Sequence, residues 1–172
     1  MRLALCSLFA TMMLAAAAPP VAAAADLSGF LGGFERRCSG SKGFVRYMFS
    51  LGEKYTSSGD LSRKVLVPAG FETFVGKEKV TDKGEYMDIS VPLRGTYRGL
   101  PVARLDFWLG NENDIYTVAI VFDTPMKVVQ SALGAEVARA QKTLPSKFPN
   151  RVPSIEILPE NGGAKLVCIL SD

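Results

Sequence analysis

Short runs of apolar residues follow one another from residue 65 onward, and Gly, Pro, Asn or Asp separates them at intervals of about eight to twelve positions. This spacing is typical of a β-sheet and predicts strands over residues 73–80, 85–93, 102–109 and 115–122. The run 115–122 shows little alternation, which indicates a central strand covered on both faces. Runs at 154–158 and 165–170 predict a final hairpin, and the aromatic-rich run 44–51 is interpreted as a further strand.

Two segments have the period of an amphipathic helix. Residues 126–144 follow Asp123-Thr124-Pro125, a cap with Pro in the first turn, and this helix is the best candidate to cover the second face of the central strand. Its apolar side consists of Met126, Val129, Leu133, Val137, Ala140 and Leu144. A shorter stripe of Leu27, Phe30, Leu31 and Phe34 predicts one short helix near the N-terminus. The chain is therefore predicted to be α+β: a mostly antiparallel sheet of six or seven strands with one principal helix packed on one face and a short N-terminal helix.

The segment 1–25 differs from the rest of the chain because Arg2 is its only charged residue. Positions 3–18 are mostly apolar, Pro19 and Pro20 end any helix, and the alanines at 22–25 offer small-x-small cleavage sites. An apolar run of about 16 residues is short for a bilayer core that needs roughly 20. We interpret 1–25 as a signal peptide that is removed, which leaves 26–172 as a single α+β domain in the periplasm or outside the cell, with no membrane insertion.

Three cysteines are present, and Cys6 lies inside the segment that we expect to be removed. Cys38 and Cys168 then remain near the two ends of the exported domain. Export leads to an oxidising compartment, where two such cysteines are expected to pair. We predict a Cys38–Cys168 disulfide that closes the domain.

The sequence contains no His, which excludes a Ser-His-Asp triad, a Cys-His dyad and an imidazole metal site. Ser39-x-x-Lys42 has the spacing of a nucleophile and a base on one helical turn, but Gly40 and Gly43 favour a loop there. The net charge of +3 is too small to indicate nucleic acid or anionic lipid as a partner, so any basic contribution must be local. No cofactor or metal is predicted, and the chain is not expected to be an enzyme.

A candidate binding surface emerges when the predicted strands are given a period of two. Ala103, Leu105, Phe107 and Leu109 form one face of the strand 102–109, and Met87, Ile89 and Val91 form the matching face of 85–93. If the two strands are neighbours, the opposite face collects aromatic, arginine and aspartate side chains, types that are frequent in binding hot spots. This predicted surface comprises Tyr86, Asp88, Arg104, Asp106 and Trp108, with Arg94, Tyr97 and Arg98 at its edge. The alternative is a solvated sheet face with cross-strand ion pairs.

Three functions remain open. The first is an exported, non-catalytic binding module that acts on a protein partner in the envelope or outside the cell, as an inhibitor or immunity-type protein does. The second is a carrier of a small apolar ligand, suggested by the phenylalanines at 44, 49, 71, 74, 107 and 122. The third is a His-free hydrolase that uses carboxylates such as Glu85 and Asp106.

Overall fold

The computed structural model describes residues 24–56, 59–111, 115–144 and 153–170. Apart from Ala24 and Ala25, the predicted signal peptide lies outside the described residues. None of the helices in these ranges is long and apolar enough to cross a bilayer.

The described residues form four helices and six strands. The helices are α1 (Ser28–Leu31), α2 (Phe34–Arg37), α3 (Lys42–Tyr55) and α4 (Met126–Thr143). The strands are β1 (Lys79–Asp82), β2 (Tyr86–Tyr97), β3 (Leu100–Gly110), β4 (Tyr116–Phe122), β5 (Ser154–Glu160) and β6 (Gly163–Ile169). All six lie in one sheet of order β1-β2-β3-β4-β6-β5, and every neighbouring pair is antiparallel. The predicted α+β fold class is confirmed.

The strand predicted for 44–51 is wrong, because this run forms most of helix α3. Ser41 caps the helix, its side-chain oxygen accepting a hydrogen bond of 3.2 Å from the backbone N–H of Phe44. The buried residues Phe44, Tyr47, Met48 and Leu51 have the i, i+3, i+4, i+7 spacing of a helix that packs on a core. The sheet is consequently covered by two long helices, α3 and α4.

Two boundaries also differ from the prediction. The strand expected over 73–80 is confined to Lys79–Asp82, because residues 72–74 form a turn. The short N-terminal helix is divided into the single turns α1 and α2, where Gly33 adopts a φ of 94° that favours glycine. α4, in contrast, runs without interruption through Gly134.

The core lies on one face of the sheet. Ile89, Phe107, Val118, Cys168 and Ile155 form a cross-strand row on this face, and they belong to one buried cluster with side chains from all four helices. The helix α4 therefore packs on the same face as α3. The expectation that α4 covers the second face of β4 is therefore wrong.

The second face of β4 is buried by the neighbouring strands. Ala119 and Val121 are 0% and 2% exposed although they lie outside the core cluster. Ala119 pairs with Asp106 and Val167, and Val121 pairs with Arg104 and Lys165. These partners are mostly longer side chains, and they flank the two smaller residues on both sides. A strand without alternation can thus be buried on both faces beneath a single layer of helices.

The sulfurs of Cys38 and Cys168 lie at bonding distance, as predicted, and their Cα atoms are 5.5 Å apart. Cys38 follows α2 and Cys168 lies in β6, so the disulfide joins the N-terminal helices to an interior strand of the sheet.

Candidate binding surface on the open face of the sheet

The face of the sheet opposite the core carries five of the predicted surface residues. The register places Asp88 beside Trp108, Ser90 beside Asp106, and Pro92 beside Arg104, while Tyr86 lies opposite Gly110. Antiparallel partners point to the same face, so Tyr86, Asp88, Arg104, Asp106 and Trp108 share one surface. We call this face of the sheet the open face. It continues through Thr117, Ala119 and Val121 of β4, Lys165 and Val167 of β6, and Glu160 of β5.

Four charged residues on the open face form one network. The Arg104 Nε donates to both carboxylate oxygens of Asp106 at 3.0 Å, and its Nη2 donates to Glu160 at 3.2 Å. Lys165 Nζ completes the network at 3.2 Å from the other oxygen of Glu160. Burial alone would raise the pKa of Glu160, but the hydrogen bonds from Lys165 and Arg104 outweigh it and hold that pKa below its ordinary value. The network therefore fixes these side chains; Asp106 is buried, while Arg104, Glu160 and Lys165 remain partly accessible to solvent.

Trp108 lies beside this network. Its ring centroid is 5.9 Å from Lys165 Nζ, within the range of a cation–π interaction, and Asp88 and Thr117 are its cross-strand neighbours. Ala119, Val121 and Val167 form an apolar floor on the same face, where Ala119 pairs with Asp106 and Val167, and they are buried without belonging to the core cluster. The open face thus combines a partly exposed aromatic side chain, an apolar floor and a border of fixed charges.

Tyr97 and Arg98 do not join this surface, which corrects their predicted placement, whereas Arg94 is exposed next to the buried Leu93 and so lies at its edge. β2 extends four residues beyond the predicted end at 93, and continued alternation along it turns Tyr97 into the core. Arg98 occupies the turn after β2, and Arg94 donates to the Thr73 carbonyl oxygen at 2.8 Å. A β-bulge at Ala103 also places Val102, rather than Ala103, on the inner face.

Tyr97 and Arg98 instead hold Glu35, a buried carboxylate that sequence analysis missed. The Tyr97 hydroxyl donates to one oxygen of Glu35, and Arg98 Nη2 donates to the other at 2.7 Å. Arg36 lies 3.2 Å from Glu35, and Glu136 of α4 lies 3.6 Å from Arg98. Burial acts to raise the pKa of Glu35, but hydrogen bonds from Tyr97 and Arg98 prevail and lower it. This cluster joins α2, the β2–β3 turn and α4.

The carboxylates named for a hydrolase are far apart. Glu85 is exposed immediately before β2, whereas Asp106 pairs with Ser90, five residues after Glu85 in the chain. Five strand residues span about 17 Å, well beyond the separation of roughly 5–9.5 Å that glycoside hydrolysis requires of two carboxylates. Among the described residues there is also no cluster of three potential metal ligands.

The phenylalanines that suggested an apolar-ligand carrier mostly fill the core. The Phe44 ring lies 5.4 Å from that of Phe30 and 6.4 Å from that of Phe107. Phe107 and Phe122 are also buried, whereas Phe49 is 65% exposed on the outer side of α3. Phe71 and Phe74 are partly buried against the same core, so of the six phenylalanines only Phe49 is exposed.

Comparison of this chain with protein-family models, with curated proteins and with solved structures returned no match. The geometry of its own surfaces is consequently the basis on which its function is proposed.

Proposed function

We propose that this chain is a non-catalytic binding module whose open face docks on a protein partner in the periplasm or outside the cell. An inhibitor or immunity-type protein is the class of function that fits a compact domain of this kind. The observation that carries the proposal is the position of Trp108, partly exposed on the open face beside Lys165 and its network with Arg104, Asp106 and Glu160.

The composition of the open face supports docking. The solvent-facing side of an antiparallel sheet normally carries polar residues, whereas this side also carries the partly exposed Trp108 and the apolar residues Ala119 and Val121. Interfaces place an aromatic anchor at the centre and leave charges at the rim. Since Arg104 and Asp106 already pair with each other, a partner does not have to order their side chains, which reduces the entropy lost on binding.

Two features of the chain favour an oxidising compartment that is reached by export. A disulfide between Cys38 and Cys168 persists in oxidising surroundings, and the segment 1–25 has the composition of a signal peptide. Both favour a partner that is met after export.

Site-specific photo-crosslinking tests the proposal. A photoreactive phenylalanine at position 108 is compared with the same residue at position 127, where Lys127 is exposed on α4 on the other side of the molecule. We expect one protein from the same compartment to be captured at position 108 and not at 127. Capture at neither position, or equal capture at both, would contradict the proposal.

The captured protein then permits a quantitative test. Trp108 is the only tryptophan, so its fluorescence reports directly on the open face, and we expect a blue shift when the partner covers it. We expect Trp108→Ala to weaken affinity by at least about 30-fold, the effect of losing a hot spot of 2 kcal/mol, as measured by calorimetry. Lys127→Ala is the matched control and should leave the affinity unchanged.

A further inference from the structure

The outer side of α3 and the loop before it carry a local concentration of positive charge. Arg37, Lys42 and Arg46 line one surface cavity of about 650 Å³ together with the backbone of 39–41. Among the residues that the structure describes, no carboxylate lies within ion-pair distance of these three side chains. Three cations without an anion around one cavity create a positive potential that favours an anionic group.

This basic cavity continues into an apolar one. A cavity of about 470 Å³ shares Arg37, Ser39 and Val45 with the first, and its remaining lining includes Met48, Phe49 and Leu170. Phe49 is 65% exposed, the second most exposed of the large apolar side chains in the described part of the chain. The charged cavity and the apolar cavity therefore adjoin one another across Arg37, Ser39 and Val45, and we call them one depression.

The depression extends along α3 to Gly52. A third cavity, of about 200 Å³, shares Met48, Phe49 and Tyr116 with the second, and its lining also includes Gly52, Thr56 and Leu109. A Cβ built on Gly52 would meet nothing within 4 Å, so this end is open. From Lys42 to Gly52 the helix rises about 15 Å, which gives the groove an elongated form with charge at one end only.

We propose that this groove, from Arg37 and Lys42 to Gly52, binds an anionic amphiphile: a molecule with one phosphate or carboxylate head and a single acyl chain. The head lies between Arg37, Lys42 and Arg46, where charge-assisted hydrogen bonds form. The chain lies against Val45, Met48 and Phe49, where each buried methylene contributes about 0.8 kcal/mol. The site lies on the core side of the sheet, apart from the open face, and is independent of the function proposed for Trp108.

Calorimetric titration with dodecyl phosphate, below the concentration at which it forms micelles, tests the proposal. We expect saturable binding that is at least about tenfold tighter than that of inorganic phosphate, because the alkyl chain, like the acyl chain of the proposed ligand, adds buried apolar area. Dodecylphosphocholine, which has the same chain with a zwitterionic head, should also bind at least about tenfold more weakly, since its ammonium group meets the three cations.

Two pairs of variants locate the binding. We expect Arg46→Gln and Phe49→Ser each to weaken dodecyl phosphate binding by about tenfold, the effect of one charge-assisted hydrogen bond or of a lost apolar contact. Lys127→Gln and Val128→Ser are the matched controls, because both residues are exposed on α4 outside the groove, and they should bind as the unaltered chain does. Gly52→Leu fills the open end and should weaken dodecyl phosphate without affecting inorganic phosphate.

Three outcomes would overturn the proposal. Inorganic phosphate that binds as tightly as dodecyl phosphate would indicate a simple anion site. Equal binding of dodecyl phosphate and dodecylphosphocholine, unaffected by Arg46→Gln, would indicate unspecific apolar adsorption. Sedimentation with phosphatidylglycerol vesicles in the absence of any binding to monomeric dodecyl phosphate would indicate a membrane-surface contact instead of a groove for one molecule.

Discussion

The guanidinium of Arg98 lies 2.7 Å from the buried carboxylate of Glu35, although the two residues are 63 positions apart in the chain. Arg98 and Gly99 form the two-residue turn between β2 and β3, with φ angles of 54° and 76°. Such a turn favours Asn or Gly at its first position, and a β-carbon there is strained. Arg98 is retained in this conformation while its side chain holds the turn against α2.

A comparison of Arg98→Ala with Arg98→Gly separates the strain from the ion pair. Both variants lose the contact with Glu35, but only alanine keeps a β-carbon at positive φ. We therefore expect Arg98→Gly to be more stable than Arg98→Ala by about 1 kcal/mol, measured by urea denaturation. Equal stability of the two variants would show that the turn is not strained.

Glu35 makes the stability of the fold dependent on acid. Its pKa is lowered below the ordinary value of 4.5 in the folded state, so the unfolded chain takes up the proton first as the pH falls. The stabilisation by Glu35 is therefore complete above about pH 5 and is lost as the pH falls through the folded-state pKa. We expect Glu35→Gln to reduce the loss of unfolding free energy between pH 5 and pH 3, measured by urea titrations at each pH. Parallel pH curves for the variant and the unaltered chain would contradict this.

At pH 7 the same substitution should lower the free energy of unfolding. Because the Arg98 side chain is 40% exposed and solvent screens the pair, we expect a loss of about 1–2 kcal/mol. Glu53→Gln is the control, since Glu53 and its partner Arg63 are both more than half exposed, and we expect it to cost less than about 1 kcal/mol.

Reduction of the disulfide is expected to lower the free energy of unfolding by about 2–5 kcal/mol, because the bond closes a loop of 130 residues in the unfolded chain. Urea midpoints with and without a phosphine reductant measure the effect. The double variant Cys38→Ser/Cys168→Ser should match the reduced chain and should not respond to the reductant. A stability that is the same with and without reductant would contradict the prediction.

Gly134 offers a route to a more stable chain. It lies inside α4, and a Cβ added there would meet nothing within 4 Å. We expect Gly134→Ala to raise the free energy of unfolding by about 0.8–1.0 kcal/mol, through helix propensity alone. Gly163→Ala is the contrasting variant: its Cβ would lie 2.1 Å from the Phe122 carbonyl oxygen, so we expect a loss of about 1–3 kcal/mol or more. Thermal denaturation of both variants tests the pair, and a Gly134→Ala chain that unfolds earlier would refute the first expectation.

The sheet was predictable because its signals are local. Alternation within β2 and β3 placed Asp88, Arg104, Asp106 and Trp108 on one face, and the structure brings them together as expected. The strand end at 93 was placed too early, so the inward direction of Tyr97 was missed. Glu35 gave no signal, since its partners depend on a contact between α2 and a distant turn that no local pattern encodes.

The misassignment of α3 has an identifiable physical cause. Phe44, Tyr47, Met48 and Leu51 alone would have indicated a helix, but Val45 and Phe49 add apolar residues to the opposite side and remove the periodicity. These two residues line the groove proposed for an amphiphile. The exposed apolar side chains that obscured the helix in the sequence are those that give its outer side a ligand-binding character.

The position of β6 links two otherwise separate parts of the structure. β6 follows β5 in the chain, yet it lies between β4 and β5, and each of these pairs with it rather than with the other. Without β6, β5 has no neighbour in the sheet and Cys38 lacks Cys168. We therefore expect the docking of β5 and the formation of the disulfide to be coupled, because both require β6 to be in place beside β4.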